Sequence, residues 1–196
     1  MLSAIFITFL LSCDEADKKN KVSETSGQHS LESKNSDSFN QSFEKLLTAY
    51  YSLKDALVEY DTVNANAVSR QMVVYADSLL LLQTVNDSSR IWVSARNYSG
   101  TITGSALALV AERELVNKKK EFQMISDAMY DLVQTVKYDR QVIYRQHCPM
   151  AFNDEEEAYW LSNNRVVVNP YLGKKHPKYK SGMLHCGDIA DSLNNN

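Results

Sequence analysis

His147-Cys148-Pro149-Met150 and Met183-Leu184-His185-Cys186 each bring a thiol, an imidazole and a thioether into one short run, and the two runs are near mirror images. Thiolate and thioether sulfurs are the donors that soft ions such as Cu(I) select, whereas nitrogen-rich sets suit Zn(II) or Cu(II). The residue before a proline is driven extended, so Cys148 and Met150 are expected to share one side of the chain and His147 to face the other. In the second run the same alternation pairs Met183 with His185, while Cys186 precedes Gly187 at a turn that can bring its sulfur round. Two thiolates and two thioethers, from Cys148, Met150, Met183 and Cys186, form a candidate soft site, with His185, His147 or His176 as additional donors. The same two cysteines offer a rival chemistry, a Cys148 to Cys186 disulfide, which on closing a loop of this size stabilises a fold by about 4 kcal/mol. Neither run is Cys-x-x-Cys, so no standard zinc-finger spacing is present.

The elements that must position these sulfurs begin well upstream. Met1 to Ser12 has no charged side chain and ends Leu10-Leu11-Ser12-Cys13. This stretch falls short of the roughly 20 apolar residues that span a bilayer and suits a signal-peptide core. Residues 1–13 are therefore expected to be a lipoprotein signal peptide that ends at a lipobox, with Cys13 as the lipidated residue. That anchor implies a lipid-tethered protein of a bacterial cell envelope, facing the periplasm or the cell surface, where disulfides persist. Residues 14–38 are almost all polar and reach no aromatic side chain before Phe39, so they are expected to be a disordered tether.

Residues 39–196 are expected to form the folded domain. Phe43, Leu46, Leu47, Tyr50, Leu53, Leu57 and Tyr60 recur at helical spacing, and Asp61 can stop that helix and cap the next. Ala65, Val68, Met72, Tyr75, Leu79 and Leu82 mark a second helix, with deep burial expected over Leu79 to Leu82. Ile91, Ala95, Tyr98 and Ile102 begin a third, in which Gly100 and Gly104 leave room for a kink or a close helix contact. Asn117 is the expected cap of a fourth, which carries Phe122, Ile125, Met129, Leu132 and Val136. The fold expected is mainly α: an antiparallel four-helix bundle with a small, loop-rich C-terminal appendage. Arg140 to Gln146 and Arg165 to Val168 are the two short strands expected in it.

Composition narrows the function. The 196 residues carry a net charge of −3 without a basic excess, which argues against nucleic-acid binding. The acidic run Asp154 to Glu157 is expected to be a solvated loop, and the lysines of Lys118 to Lys120 and Lys174 to Lys180 solvated surface. His147 and Cys148 are strand neighbours that point apart, and no base with an orienting group accompanies them, so no enzyme is expected.

Cys148-Pro149-Met150-Ala151-Phe152, Trp160-Leu161-Ser162, Asn169-Pro170-Tyr171-x-Gly173 and Met183-x-x-Cys186-Gly187 together resemble the signature of the bacterial domain of unknown function 3347. Leu53-Lys54-x-Ala56-Leu57-Val58 and Phe122-x-x-Ile125-Ser126 are similar to its helical part, so the resemblance spans about residues 40 to 193. It implies a secreted or lipid-anchored protein, or a component of heavy-metal efflux systems, that handles copper or silver. Cys148, Met150, Met183 and Cys186 fall on the motif positions, and Cu(I) is the ion they suit. Lys174 to Gly182 makes the last loop longer than the compact form of the motif. Trp160 is expected to pack the appendage on the bundle, and Asn169 to Gly173 to form the turn that returns the chain. The function expected is a tethered envelope lipoprotein that binds a soft metal, most simply copper, in heavy-metal homeostasis or efflux. The alternative is a helical interaction module stiffened by the disulfide.

Overall fold

Four amphipathic stretches become four helices: α1 (Asp37–Glu59), α2 (Thr62–Leu81), α3 (Arg90–Ala111) and α4 (Leu115–Val136). The computed structural model describes residues 35–81 and 90–194, so the leader with Cys13, residues 14–34 of the expected tether, and Leu82 lie outside the described residues. Each helix packs on the next in sequence. On α1, Phe43, Leu46, Leu47, Tyr50, Leu53 and Leu57 are buried, and on α4 so are Phe122, Ile125, Met129, Leu132 and Val136. Both faces follow the spacing read from the sequence.

The joints are built from local side-chain chemistry. Ser36 Oγ accepts from the Phe39 N–H at the start of α1, and Tyr60 ends that helix in the left-handed conformation. Asp61 then caps α2, its Oδ1 accepting from the Asn64 N–H at 2.9 Å. Asn117 does not cap α4. The helix begins at Leu115, with Glu114 at the cap position, and Asn117 instead donates from its first turn to Glu112 Oε2 at 3.1 Å. Three residues suffice to join α3 to α4, which leaves Asn117 already helical.

In α3 the buried face is Ala95, Ser99, Ile102, Ala106 and Leu109, while Ile91 is half exposed. Gly100 and Gly104 make no close helix contact, because a Cβ at either position would meet nothing within 4 Å. Lys118 and Lys119 are buried rather than solvated. Lys118 Nζ donates to the Leu109 carbonyl at 2.6 Å and to Asn66 Oδ1 at 2.8 Å, tying the end of α3 to α2. A cation near the last carbonyls of a helix is favoured there.

The appendage is a three-stranded antiparallel sheet in the order β2-β1-β3, formed by β1 (Ile143–Phe152), β2 (Glu156–Ser162) and β3 (Asp188–Leu193). The expected first strand starts at Ile143 and runs through the first sulfur motif. Arg165 to Val168 is not a strand. The chain bends there, with Val166 exposed, and Asn164 Oδ1 accepts from the Val166 N–H at 2.8 Å, so the side chain supplies the bond that a ladder would. The acidic run lies exposed across a tight turn, where Asn153 and Asp154 both take positive φ, and into the first residues of β2. Between Cys148 and Phe152 the β1–β2 register slips, four positions on β1 facing two on β2. Pro149 has no N–H to give the ladder, which makes this the natural place for a bulge.

Tyr50 docks the sheet on the bundle. Ser126 Oγ gives its proton to the Phe122 carbonyl, so Tyr50 Oη donates to Ser126 at 2.7 Å and accepts from the Leu161 N–H at 2.9 Å. Trp160 is fully buried and meets Tyr171 edge-on, ring centres 5.9 Å apart.

Candidate functional site

Cys148 faces inward from the central strand and is fully buried. Cys186 arrives from a chain segment 38 residues later, and the two Sγ atoms lie 3.1 Å apart as unbonded thiols. Three constraints bring them together. Gly187 sits at φ +128° with its Cα against β1, where a Cβ would fall 2.1 Å from the His147 carbonyl oxygen. Only a residue without that carbon allows so close an approach. Asn169 supplies the second constraint: its Nδ2 donates to the Cys186 carbonyl at 2.9 Å, and its own N–H donates to the Leu184 carbonyl at 2.8 Å.

The third constraint fixes Asn169 itself. Its Oδ1 accepts from the Tyr171 and Leu172 N–H groups at 2.8 and 2.9 Å, shaping the expected Asn-Pro-Tyr-Leu-Gly turn. That turn is locked to the end of α1 by Tyr60 Oη donating to the Leu172 carbonyl and by Lys174 N–H donating to the Val58 carbonyl. Gly173, at φ +58°, passes so close to Tyr60 and the Val58 carbonyl that a Cβ would meet both within 3 Å. The sulfur pair is thus referenced to the bundle through a continuous set of hydrogen bonds from the Asn169 and Tyr60 side chains and the backbone.

Burial holds the Cys186 thiol in its neutral form, pushing its pKa up to about 12, and the hydrogen bond and charge of Cys148 add to the effect. Met150 and Met183 are half-buried and pack against the same hydrophobic core. His185 is exposed, and its Nδ1 donates to the Val167 carbonyl at 2.6 Å, leaving Nε2 free of that bond. His147 lies on the opposite face of β1, between Glu157 (3.1 Å from Nε2) and Asp188 (3.3 Å from Nδ1). His176 belongs to a separate loop, stacked on Tyr179. Among the described residues no three His, Cys, Asp or Glu side chains converge on a common point.

The sulfurs therefore stand between two states. A disulfide needs them about 2.05 Å apart. Two thiolates sharing one ion at metal–sulfur distances of about 2.3 Å would stand about 3.7 Å apart or more. Either state is reached from the present contact by a movement of about 1 Å. Gly187 stands at the turn expected to bring the Cys186 sulfur round, whereas Asn169, expected only to help return the chain, proves to hold Cys186 directly. An asparagine before a proline and a glycine after a cysteine were the available signals.

A helical bundle bearing a three-stranded sheet, with a thiol pair formed by buried Cys148 and half-buried Cys186, is the class of molecule these features define. Residues 46–141 match the family described as "Protein of unknown function (DUF3347)", and over that span the chain belongs to this family. The matched span runs from within α1 to just short of β1, so it rests on the bundle, and the two sulfur motifs follow it. No curated protein and no solved structure matches the chain.

Proposed function

We propose that this chain is a tethered envelope lipoprotein that binds a soft metal ion, Cu(I), as cargo at the Cys148 and Cys186 sulfurs, in heavy-metal homeostasis or efflux. The observation that carries the reading is the pair itself: two unbonded thiols 3.1 Å apart, delivered by separate segments and fixed by the close backbone approach at Gly187 and the Asn169 side chain rather than by chance proximity. Met150 and Met183 supply thioethers beside the pair in sequence and are packed into the same core. Thioethers beside two thiolates suit Cu(I) better than Zn(II), whose all-sulfur sites are built from four thiolates. The role is non-catalytic. A neutral Cys186 thiol and a histidine on the far face of the strand make a poor nucleophile and base. Lipidation at Cys13 would hold the domain at a membrane surface, where it buffers the ion or passes it to an efflux partner.

The test is titration of the reduced full chain with Cu(I), followed by calorimetry and by mass spectrometry under non-denaturing conditions. One ion per chain is expected, bound at least tenfold more tightly than by the Cys148→Ser, Cys186→Ser variant. Equal affinity for the two proteins would sink the reading.

One observation favours a second reading. The 3.1 Å contact lies within about 1 Å of a disulfide bond length. On that reading the chain is a disulfide-stiffened interaction module of the envelope. A Cys148 to Cys186 linked peptide in non-reduced digests of protein purified from its native compartment, with no effect of Cu(I) on the thermal midpoint, is its signature.

A further inference from the structure

Lys119, near the start of α4, is only 5% exposed, and no carboxylate pairs with it among the described residues. Its Nζ donates to the Tyr171 carbonyl at 2.6 Å and stands 4.0 Å from the centre of the Tyr60 ring. An ammonium has three protons. The carbonyl takes one and the ring face attracts the group as a whole, so hydrogen-bonding capacity remains. Burial without a counter-charge is costly, and it pushes the Lys119 pKa down to about 7.

A cavity of about 500 Å³ opens beside this amine. That volume lies within the range of small-molecule sites. Tyr60, Val116 and Phe152 give it apolar walls, and the loop carrying His176 and Lys178 closes another side. His176 Nδ1 accepts from the Tyr179 N–H at 3.2 Å, so the neutral ring keeps its proton on Nε2 as a second donor. Lys178 is already spoken for by Asp154 at 2.5 Å. Neither Cys148 nor Cys186 lines this space.

We propose that the cavity binds a small organic carboxylate, its apolar body against Tyr60, Val116 and Phe152 and its acidic group on Lys119 Nζ. One unneutralised ammonium with one imidazole matches a single negative charge. A phosphate dianion would bring its second charge toward Asp154. The proposal does not depend on the sulfur chemistry. It also gives the buried amine its counter-ion, so binding above neutral pH must draw a proton onto Lys119.

The experiment is isothermal titration of the full chain with 4-phenylbutanoate and with octanoate, at pH 8 and pH 6, in buffers of different ionisation enthalpy. Saturable one-site binding is expected, with proton uptake at pH 8 that fades by pH 6. 4-Phenylbutanamide should bind at least tenfold more weakly. Lys119→Met, which keeps the aliphatic stem and loses the charge, should weaken the acid at least tenfold and remove the proton uptake. Val116→Trp, at a half-exposed position on the cavity wall, should block binding while leaving the fold intact by circular dichroism. If Lys119→Met does not fold, Val116→Trp and the amide comparison decide. Absence of saturable binding by both acids at millimolar concentration, an amide as tight as the acid, or unchanged binding by Val116→Trp would each overturn the proposal.

Discussion

Gly187 shows how much one missing carbon decides. Its positive φ and its approach to the His147 carbonyl set the path that brings Cys186 over Cys148. Gly187→Ala should cost at least about 2 kcal/mol, from left-handed strain plus a backbone clash that no rotamer change relieves. Urea denaturation of the reduced protein measures that cost, and Cu(I) affinity should fall with it. An unchanged midpoint would refute the role given to this glycine. Two titrations also act at this scale, with opposite signs. Lys119 is held below its ordinary pKa, so between about pH 7 and pH 10.5 the unfolded chain binds a proton that the folded chain does not. Stability should therefore rise with pH through that window, by up to about 1.4 kcal/mol per unit from this group. Lys119→Met should flatten the rise in a pH series of denaturation curves. Cys186 is held above its ordinary value, so the stability of the reduced protein that it supports is present below about pH 9 and lost as pH climbs toward 12. On the proposed function, Cu(I) would have to displace that proton, so its apparent affinity should increase with pH. The paired cysteines were legible from residue type alone. Lys119 was not, because a lysine triplet carries no mark of which member the tertiary structure buries.

Helices α1 and α4 were legible because long periodic faces are strong signals, and Asp61 was legible as the cap of α2, although Tyr60 in the left-handed conformation, not Asp61, ends α1. Asp61→Ala should cost about 1 kcal/mol in thermal unfolding. The sheet was the harder part. β3 is a short polar segment whose exposed and half-buried positions alternate, and its strand form comes from pairing with β1. The valines of Arg165 to Val168 have the higher β-propensity, yet no neighbouring strand is offered to them, and Val166 points to solvent. β-Propensity describes fitness for a half-buried pleated surface, so without a partner it predicts little. How the sheet is held to the helices can be tested at Tyr50. Removing its hydroxyl in Tyr50→Phe leaves the buried Leu161 N–H without its acceptor. A loss of about 1–3 kcal/mol is expected, with faster amide exchange at Leu161. Exchange unchanged at that amide would show that the sheet is docked by apolar packing alone.

For the molecule as a whole, the proposed function would make one pair of sulfurs link metal binding to stability. Oxidation closes a covalent loop across the appendage and removes both thiolates from a bound ion. The oxidised chain should be more stable than the reduced chain by up to about 4 kcal/mol and should not retain Cu(I). Parallel melts and metal retention before and after treatment with a mild oxidant check both halves of that statement. A reduced chain as stable as the oxidised one would mean that the clamp of Asn169 and Gly187 already supplies all the order a disulfide could add.

The place of the two cysteines along the chain has a bearing on its biogenesis. Every residue of the bundle has been delivered by Val136, whereas Cys186 follows Cys148 by 38 positions, and β3 by more. A polypeptide emerging N-terminus first therefore presents Cys148 on a strand with one edge still unpaired, before its intended partner exists. During that interval any small thiol, oxidant or stray ion competes for a lone sulfur. The yield of correctly matched protein should depend on a reducing environment, or a protecting chaperone, until Gly187 has passed and the strand is covered.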